Sequence, residues 1–225
     1  MSTELILIRH GNAIRVNGDY VHAPLTPLGE HQAAQTGEYL AEMQPLDGFY
    51  TSPLRRAKET AAIIGSKLGK TPEIKNGIQE VGGLEVPALA VLETLSIFDF
   101  VEDYLDAHAG KPIRWPIQGR VSKAVMEMVE AHPNQRIVAV AHAGTISSVL
   151  AWAFPEQRLQ WWLTLVGNCS LTRVRVDGSQ ITLLAVNETQ HLVAEVTTQP
   201  PDRAVQATKQ IMKTVKPTAK VTNST

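Results

Sequence analysis

Two short runs of uninterrupted apolar residues, 5–8 and 137–141, stand out along the chain. Runs of that length with no polar alternation fit strands covered on both faces, as in a parallel sheet between helical layers. Between them the pattern shifts to a repeat of three and four. Thr26-Pro27 has the form of a helix cap followed by a first-turn proline. Leu28, Ala33, Gly37, Leu40 and Ala41 then recur at helical spacing to about Met43. Residues 49–52 predict a short strand, and Ser52-Pro53 predicts a second cap-and-proline start. Leu54, Ala57, Ala61, Ile64 and Leu68 form one apolar helical stripe after it. Helices are also predicted over 88–108 and 118–131, and over 149–162 with a break at Pro155. Residues 171–176 and 181–186 flank Asp177-Gly178, a turn signal, and predict an antiparallel hairpin.

This alternation predicts an α/β fold: a three-layer α/β/α sandwich with a mostly parallel central sheet and an antiparallel edge. A single domain is expected over residues 1–199. From Pro200 the composition changes, with five Lys or Arg (Arg203, Lys209, Lys213, Lys216, Lys220) against one acid, Asp202. A basic tail is expected there, with a short helix around 203–215 and disorder after it. The P-loop-like run Gly65-Ser66-Lys67-Leu68-Gly69-Lys70-Thr71 closes a helix instead of opening one, so it reads as a C-cap and turn.

Composition narrows the function classes. The 225 residues are 44% apolar and 19% charged, the balance of an ordinary globular protein. A formal charge of -1 and a pI near 6.7 give no global attraction to nucleic acid or an anionic membrane. Cys169, the sole cysteine, excludes an internal disulfide and any multi-cysteine metal site. The start of the chain reads as a buried strand and not as a leader peptide, so a cytoplasmic location is expected. The sequons at Asn168, Asn187 and Asn223 are then chance matches.

The candidate chemistry lies just beyond the predicted strands. Arg9-His10-Gly11 follows the first apolar run and His142-Ala143-Gly144 follows the second. Tyr50-Thr51-Ser52 leads into a helix whose first turn carries Arg55 and Arg56. Ligands of open α/β sheets sit outside the carboxyl ends of the strands. Two histidines and two or three arginines should therefore meet at one sheet edge, near a helix start. Such a set suits a phosphate dianion, which guanidinium groups grip bidentately and a helix start meets with N–H donors. Asn12 can add an amide donor.

Arg9-His10-Gly11-Asn12-Ala13 resembles the signature of the histidine phosphatase superfamily, the phosphoglycerate mutase-like proteins. The segment from Leu25-Thr26-Pro27-Leu28-Gly29-Glu30 to Ala33 is similar to the one that follows it there. Ser52-Pro53-Leu54-Arg55-Arg56-Ala57-Lys58-Glu59-Thr60-Ala61 resembles the second arginine block, and Val140-Ala141-His142-Ala143-Gly144 the second histidine. The resemblance spans roughly residues 4–187 and implies the catalytic set His10, Glu80, His142, Arg9 and Arg55. His10 is the implied nucleophile. Arg9, Asn12, Arg55, His142 and Ala143 are the implied phosphate contacts, and Glu80 the proton donor. Here the chain departs from the pattern. Many members continue with a Gly-Trp-Glu-Gly-like stretch, whereas Val81-Gly82-Gly83-Leu84-Glu85-Val86 stands in its place, leaving Glu85 and Asp19 as rival acids.

The chemistry implied is hydrolysis of a small phosphate ester through a phosphohistidine, with no cofactor and no metal. A nucleophilic histidine must be neutral, its second nitrogen donating to a backbone carbonyl. His142 is expected as a cation beside the dianion. A phosphoglycerate mutase is the nearest alternative. It is disfavoured because Val81 stands where mutases carry an arginine after the proton-donor glutamate. A non-hydrolytic phospho-ligand binder and a metallohydrolase using His10 and His142 are the others, the last lacking tight ligand spacing. Substrate choice is expected from residues 12–25 and 81–118, with Arg15, Tyr20, His22, Arg114 and Trp115 as candidates. A small-molecule phosphate ester is the expected partner, with no nucleic acid or membrane, and a homodimer is the default assembly.

Overall fold

A computed structural model describes residues 2–14, 22–80, 116–155, 161, 166–193 and 218–220; for 116–118 and 218–220 it describes the backbone alone. Seven strands form one sheet in the order β3-β2-β4-β1-β5-β6-β7. These are β1 (Ser2–Arg9), β2 (Gly48–Thr51), β3 (Glu73–Ile74), β4 (Arg136–Ala141), β5 (Leu171–Asp177), β6 (Gln180–Glu188) and β7 (Thr218–Lys220). The half built from β3, β2, β4 and β1 is parallel, and β5, β6 and β7 continue it antiparallel. The helices described are α1 (Pro27–Glu42), α2 (Arg55–Leu68), α3 (Pro116–Glu130) and α4 (Ala143–Ala153).

The unbroken apolar runs make sense once the two faces are separated. Side chains alternate across a strand. Leu5 and Leu7 of β1, with Ile137 and Ala139 of β4, pack in one cluster with Val121, Val125 and Met128 of α3 and Ile146 and Leu150 of α4. Ile6, Ile8, Val138 and Val140 enter the opposite cluster, with Leu40 of α1 and Ala57, Ala61 and Ile64 of α2. The sheet is thus sandwiched between helical layers, as the sequence pattern predicts.

Thr26 caps α1, its Oγ1 accepting from the N–H of Gly29 at 3.1 Å, and Pro27 opens the helix. Gly69, left-handed at φ 63°, closes α2, so the P-loop-like run is a helix end. The final described turn of α4 stops at Ala153, two residues before Pro155. The β5–β6 hairpin turns through Gly178 at φ 58°.

Three expectations change. Ser52-Pro53 does not start α2; the helix begins at Arg55 with Leu54 as its cap residue, and the Ser52 hydroxyl accepts from the Leu54 N–H at 3.3 Å and lies 2.8 Å from the His142 ring. The helix predicted over 149–162 begins earlier, at Ala143. The end of the tail, expected to be disordered, supplies β7, which pairs with residues 180–182 of β6 and covers the open backbone groups of that edge. The helices predicted over 88–108 and 203–215 lie outside the described residues. No described helix is long and apolar enough to cross a membrane.

Candidate active site

Parallel pairing places the functional side chains. Arg9 lies opposite Ala141, so the residues that follow, His10 and His142, leave the sheet side by side. The His10 N–H donates to the carbonyl of Ala141 at 3.0 Å, and the Ser52 N–H to that of Val140 at 2.9 Å, which brings the end of β2 to the same place. Both imidazoles are buried. Their centroids are 5.2 Å apart, with the planes inclined at 58°, a separation that one tetrahedral phosphoryl group can bridge.

The tautomer of His10 follows from its partners. Arg56 Nε lies 3.0 Å from His10 Nε2 and can only donate. The Gly11 carbonyl lies 2.7 Å from His10 Nδ1 and can only accept. His10 therefore carries its proton on Nδ1, and its Nε2 is unprotonated and accepts from Arg56. Burial, and then the charges of Arg9 and Arg56, push its pKa well below the usual 6.5, against a smaller opposing effect of the Gly11 carbonyl. A neutral imidazole beside two cations is the state a nucleophile needs.

The charge expected of His142 is conditional on a bound dianion. Burial lowers its pKa well below 6.5, and His10, Arg56, Arg9 and Arg120 push in the same direction. The protein's own groups hold it neutral; a cationic His142 requires the negative charge of a ligand to reverse that balance. His142 Nδ1 and Arg9 Nε are buried atoms with no hydrogen-bond partner among the described residues.

The largest correction concerns the second arginine. Arg55 does not reach the histidines: its side chain is 53% exposed and pairs with Glu59 at 2.7 Å, one helical turn on. Arg56 takes the place expected for Arg55, buried against His10. The reason is rotation about the helix axis. Arg56 shares the inner face with Thr60 and Ile64, whereas Arg55 shares the outer face with Glu59.

Four further residues of the expected catalytic and phosphate-binding set are described. Arg9 Nη1 donates to the Val166 carbonyl at 2.7 Å. Asn12 Oδ1 accepts from the Thr26 hydroxyl at 2.7 Å, and its N–H donates to Gln32 Oε1 at 2.8 Å. Ala143 is the first residue of α4. Glu80 Oε1 accepts the Gly144 N–H at 3.1 Å, so this carboxylate lies at the start of α4, two residues from His142. His22 is exposed. Glu85, Asp19, Arg15, Tyr20, Arg114 and Trp115 lie outside the described residues.

The family model of the histidine phosphatase superfamily, branch 1, matches residues 5–189. The chain belongs to this superfamily. Phosphoglycerate mutase-like protein 4 of Arabidopsis thaliana is 27% identical over 84% of this chain and 86% of its own length. The glucosyl-3-phosphoglycerate phosphatase of Mycolicibacterium vanbaalenii is 30% identical over 77% of this chain and 84% of its own. The crystal structure of a phosphoserine phosphatase from Entamoeba histolytica shares the fold, with a TM-score of 0.67 at 24% identity, covering 85% of this chain and all of that one.

Two groups supporting the histidine phosphatase site lie outside the short motifs. Asn168 Nδ2 donates to the His10 carbonyl at 2.9 Å, and the Cys169 N–H to that of Arg9 at 2.9 Å. Thr60 Oγ1 accepts from the Gly11 N–H at 3.0 Å. A Cβ on Gly11 would stand 2.5 Å from the Gly29 carbonyl oxygen, so the loop after β1 lies directly on the start of α1. A glycine at each position permits that approach. Gly11, Gly29 and Thr60 stand within the motif segments, whereas Asn168 and Cys169 do not.

The buried histidines also set a pH dependence for this superfamily member. Below 6.5 the unfolded chain binds protons that folded His10 and His142 refuse, so stability rises with pH. Their contribution is complete above 6.5 and is lost as the pH falls through their lower folded values. Thermal unfolding midpoints should therefore drop as the pH is taken below 6.5. A midpoint unchanged or rising over that range would contradict the neutral assignment.

Proposed function

We propose that the chain is a phosphomonoesterase that hydrolyses a small phosphate ester through a covalent phosphohistidine on His10. The observation that carries the reading is the fixed tautomer of His10, with Nε2 unprotonated, Arg56 donating to it and the His142 ring 5.2 Å away. In the first half-reaction Nε2 attacks phosphorus, the bond from phosphorus to the ester oxygen breaks, and Glu80 gives its proton to the leaving alkoxide. In the second, Glu80 takes a proton from water, the resulting oxygen attacks phosphorus, and the P–N bond breaks to release inorganic phosphate. Arg9 and Arg56 balance the phosphoryl charge throughout, and His142 joins them once the dianion favours its charged form.

The buried Arg9 Nε and His142 Nδ1, with no partner among the described residues, support the reading, since phosphoryl oxygens are acceptors suited to both. With charge balance supplied by side chains, no metal is required. Phosphoserine and phosphoglycerate-type esters, the compounds in the relatives' names, are the substrate class to test first.

The test combines product analysis with trapping. After exhaustive chelation the protein should still release inorganic phosphate from an aryl phosphate. Rapid quenching should yield an acid-labile, alkali-stable phosphoenzyme, with the label on the peptide containing His10. Isomerisation of 3-phosphoglycerate without phosphate release would favour a mutase, and binding with no phosphoenzyme would favour a ligand-binding role.

A further inference from the structure

We propose that Arg120 and Thr145 are positioning residues that clamp the main chain at Gln79 and so aim Glu80 at the leaving-group oxygen. The inference rests on the reading of Glu80 as the proton donor. The segment preceding Glu80 leaves the sheet edge after β3 and is gripped from both helices of one layer. From α4, the buried Thr145 hydroxyl is shared between the carbonyls of Ile78 at 3.2 Å and Gln79 at 3.0 Å. From α3, Arg120 Nη2 donates to the same Gln79 carbonyl at 3.2 Å, and Nη1 reaches Gln79 Oε1 at 3.4 Å. The Gly77 N–H donates to that Oε1 at 2.7 Å, folding the segment into a compact turn. Gly77 has φ 99°, and a Cβ on it would meet Ala124 Cβ at 2.6 Å, so the turn is pressed flat against α3.

The Gln79 carbonyl is one peptide link from Glu80, and the Gly144 N–H that holds the Glu80 carboxylate is next to Thr145. Fixing that carbonyl from two directions removes the freedom by which the carboxylate could swing off line. Displacements of about 1 Å in a reacting group cost on the order of a hundredfold in rate. Of the acceptors they reach, the Gln79 carbonyl is the one common to both residues and the one adjacent to the proton donor.

The experiment compares kcat/KM for phenyl phosphate, whose leaving group needs a proton, with that for dinitrophenyl phosphate, whose leaving group does not. Glu80→Gln serves as the reference and should lose on the order of a hundredfold on phenyl phosphate, with a change below about threefold on the dinitrophenyl ester. Arg120→Gln and Thr145→Val should each show the same asymmetry at roughly tenfold, and Arg120→Lys should recover part of it. Equal losses on both esters, or no loss on either, would reduce the clamp to a structural brace. Arg120 is exposed, so its variants fold and decide the matter even if Thr145→Val does not. If Glu80→Gln itself shows no asymmetry, the assignment of the proton donor fails and takes the clamp with it, a result distinct from failure of the two clamp variants alone.

Discussion

His10→Ala is expected to lower kcat by about 10⁵-fold or more, because it removes the atom that bonds to phosphorus, and no other group at the site can replace it. His142 stands 5.2 Å away, centroid to centroid, in its own hydrogen bond to Ser52. The variant should still bind phosphate esters, since Arg9 and Arg56 remain. It should form no phosphoenzyme. Loss of the imidazole also strips Arg56 Nε of its acceptor, at a cost of about 1–3 kcal/mol. The unfolding midpoint should therefore fall by a few degrees while the protein stays folded. Stopped-flow turnover, phosphoenzyme trapping and thermal unfolding together check this. Retention of the phosphoenzyme would place the nucleophile elsewhere.

Arg56→Ala should lower kcat/KM by about 10³-fold, and Arg55→Ala by less than about threefold. A buried guanidinium set against the nucleophile compensates charge that develops in a water-poor site, where removal of one such donor costs 10²–10³-fold or more. An exposed guanidinium paired with a carboxylate on its own helix contributes little to stability or to charge balance. The two residues are adjacent in sequence, so the comparison isolates which face of α2 looks into the site. Steady-state kinetics on one aryl phosphate suffices. Equal sensitivity of the two positions would mean that α2 is rotated from the orientation described.

The exchange of Arg55 for Arg56 also shows where sequence reasoning ran out. A motif match marks a block of residues, and within Leu54-Arg55-Arg56-Ala57 either arginine could face the phosphate. The periodic signal that separates them was in the chain: Arg55 stands four residues from Glu59, an opposite charge, and Arg56 four from Thr60 and eight from Ile64. Its weight became plain only once α2 was seen packed on the sheet. The reverse held for Ser52, whose place before a proline reads as a helix cap although its hydroxyl serves His142 across the strand ends. The hydroxyl makes a local bond to the Leu54 N–H and a contact ninety residues away.

His142 marks a further limit. Its location followed from an apolar run ending in histidine, but its charge depends on burial and on the summed effect of His10, Arg56, Arg9 and Arg120. No short window of sequence contains those groups. Glu80 is similar. Its candidacy came from resemblance, and what holds it, from Gly144, Thr145 and Arg120, comes from two helices remote in sequence.

By itself the amino-acid order determined the layered α/β architecture, the strand ends at which the chemistry gathers, and the identity of both histidines. Hydrophobic period and strand-end placement are local properties, and local properties survive in one dimension. Tertiary structure alone decided which arginine meets His10, which nitrogen of His10 is unprotonated, and that the polar end of the chain covers a sheet edge. Each of these depends on distances between segments brought together only by folding, because hydrogen bonds and Coulomb interactions act through space and not along the chain.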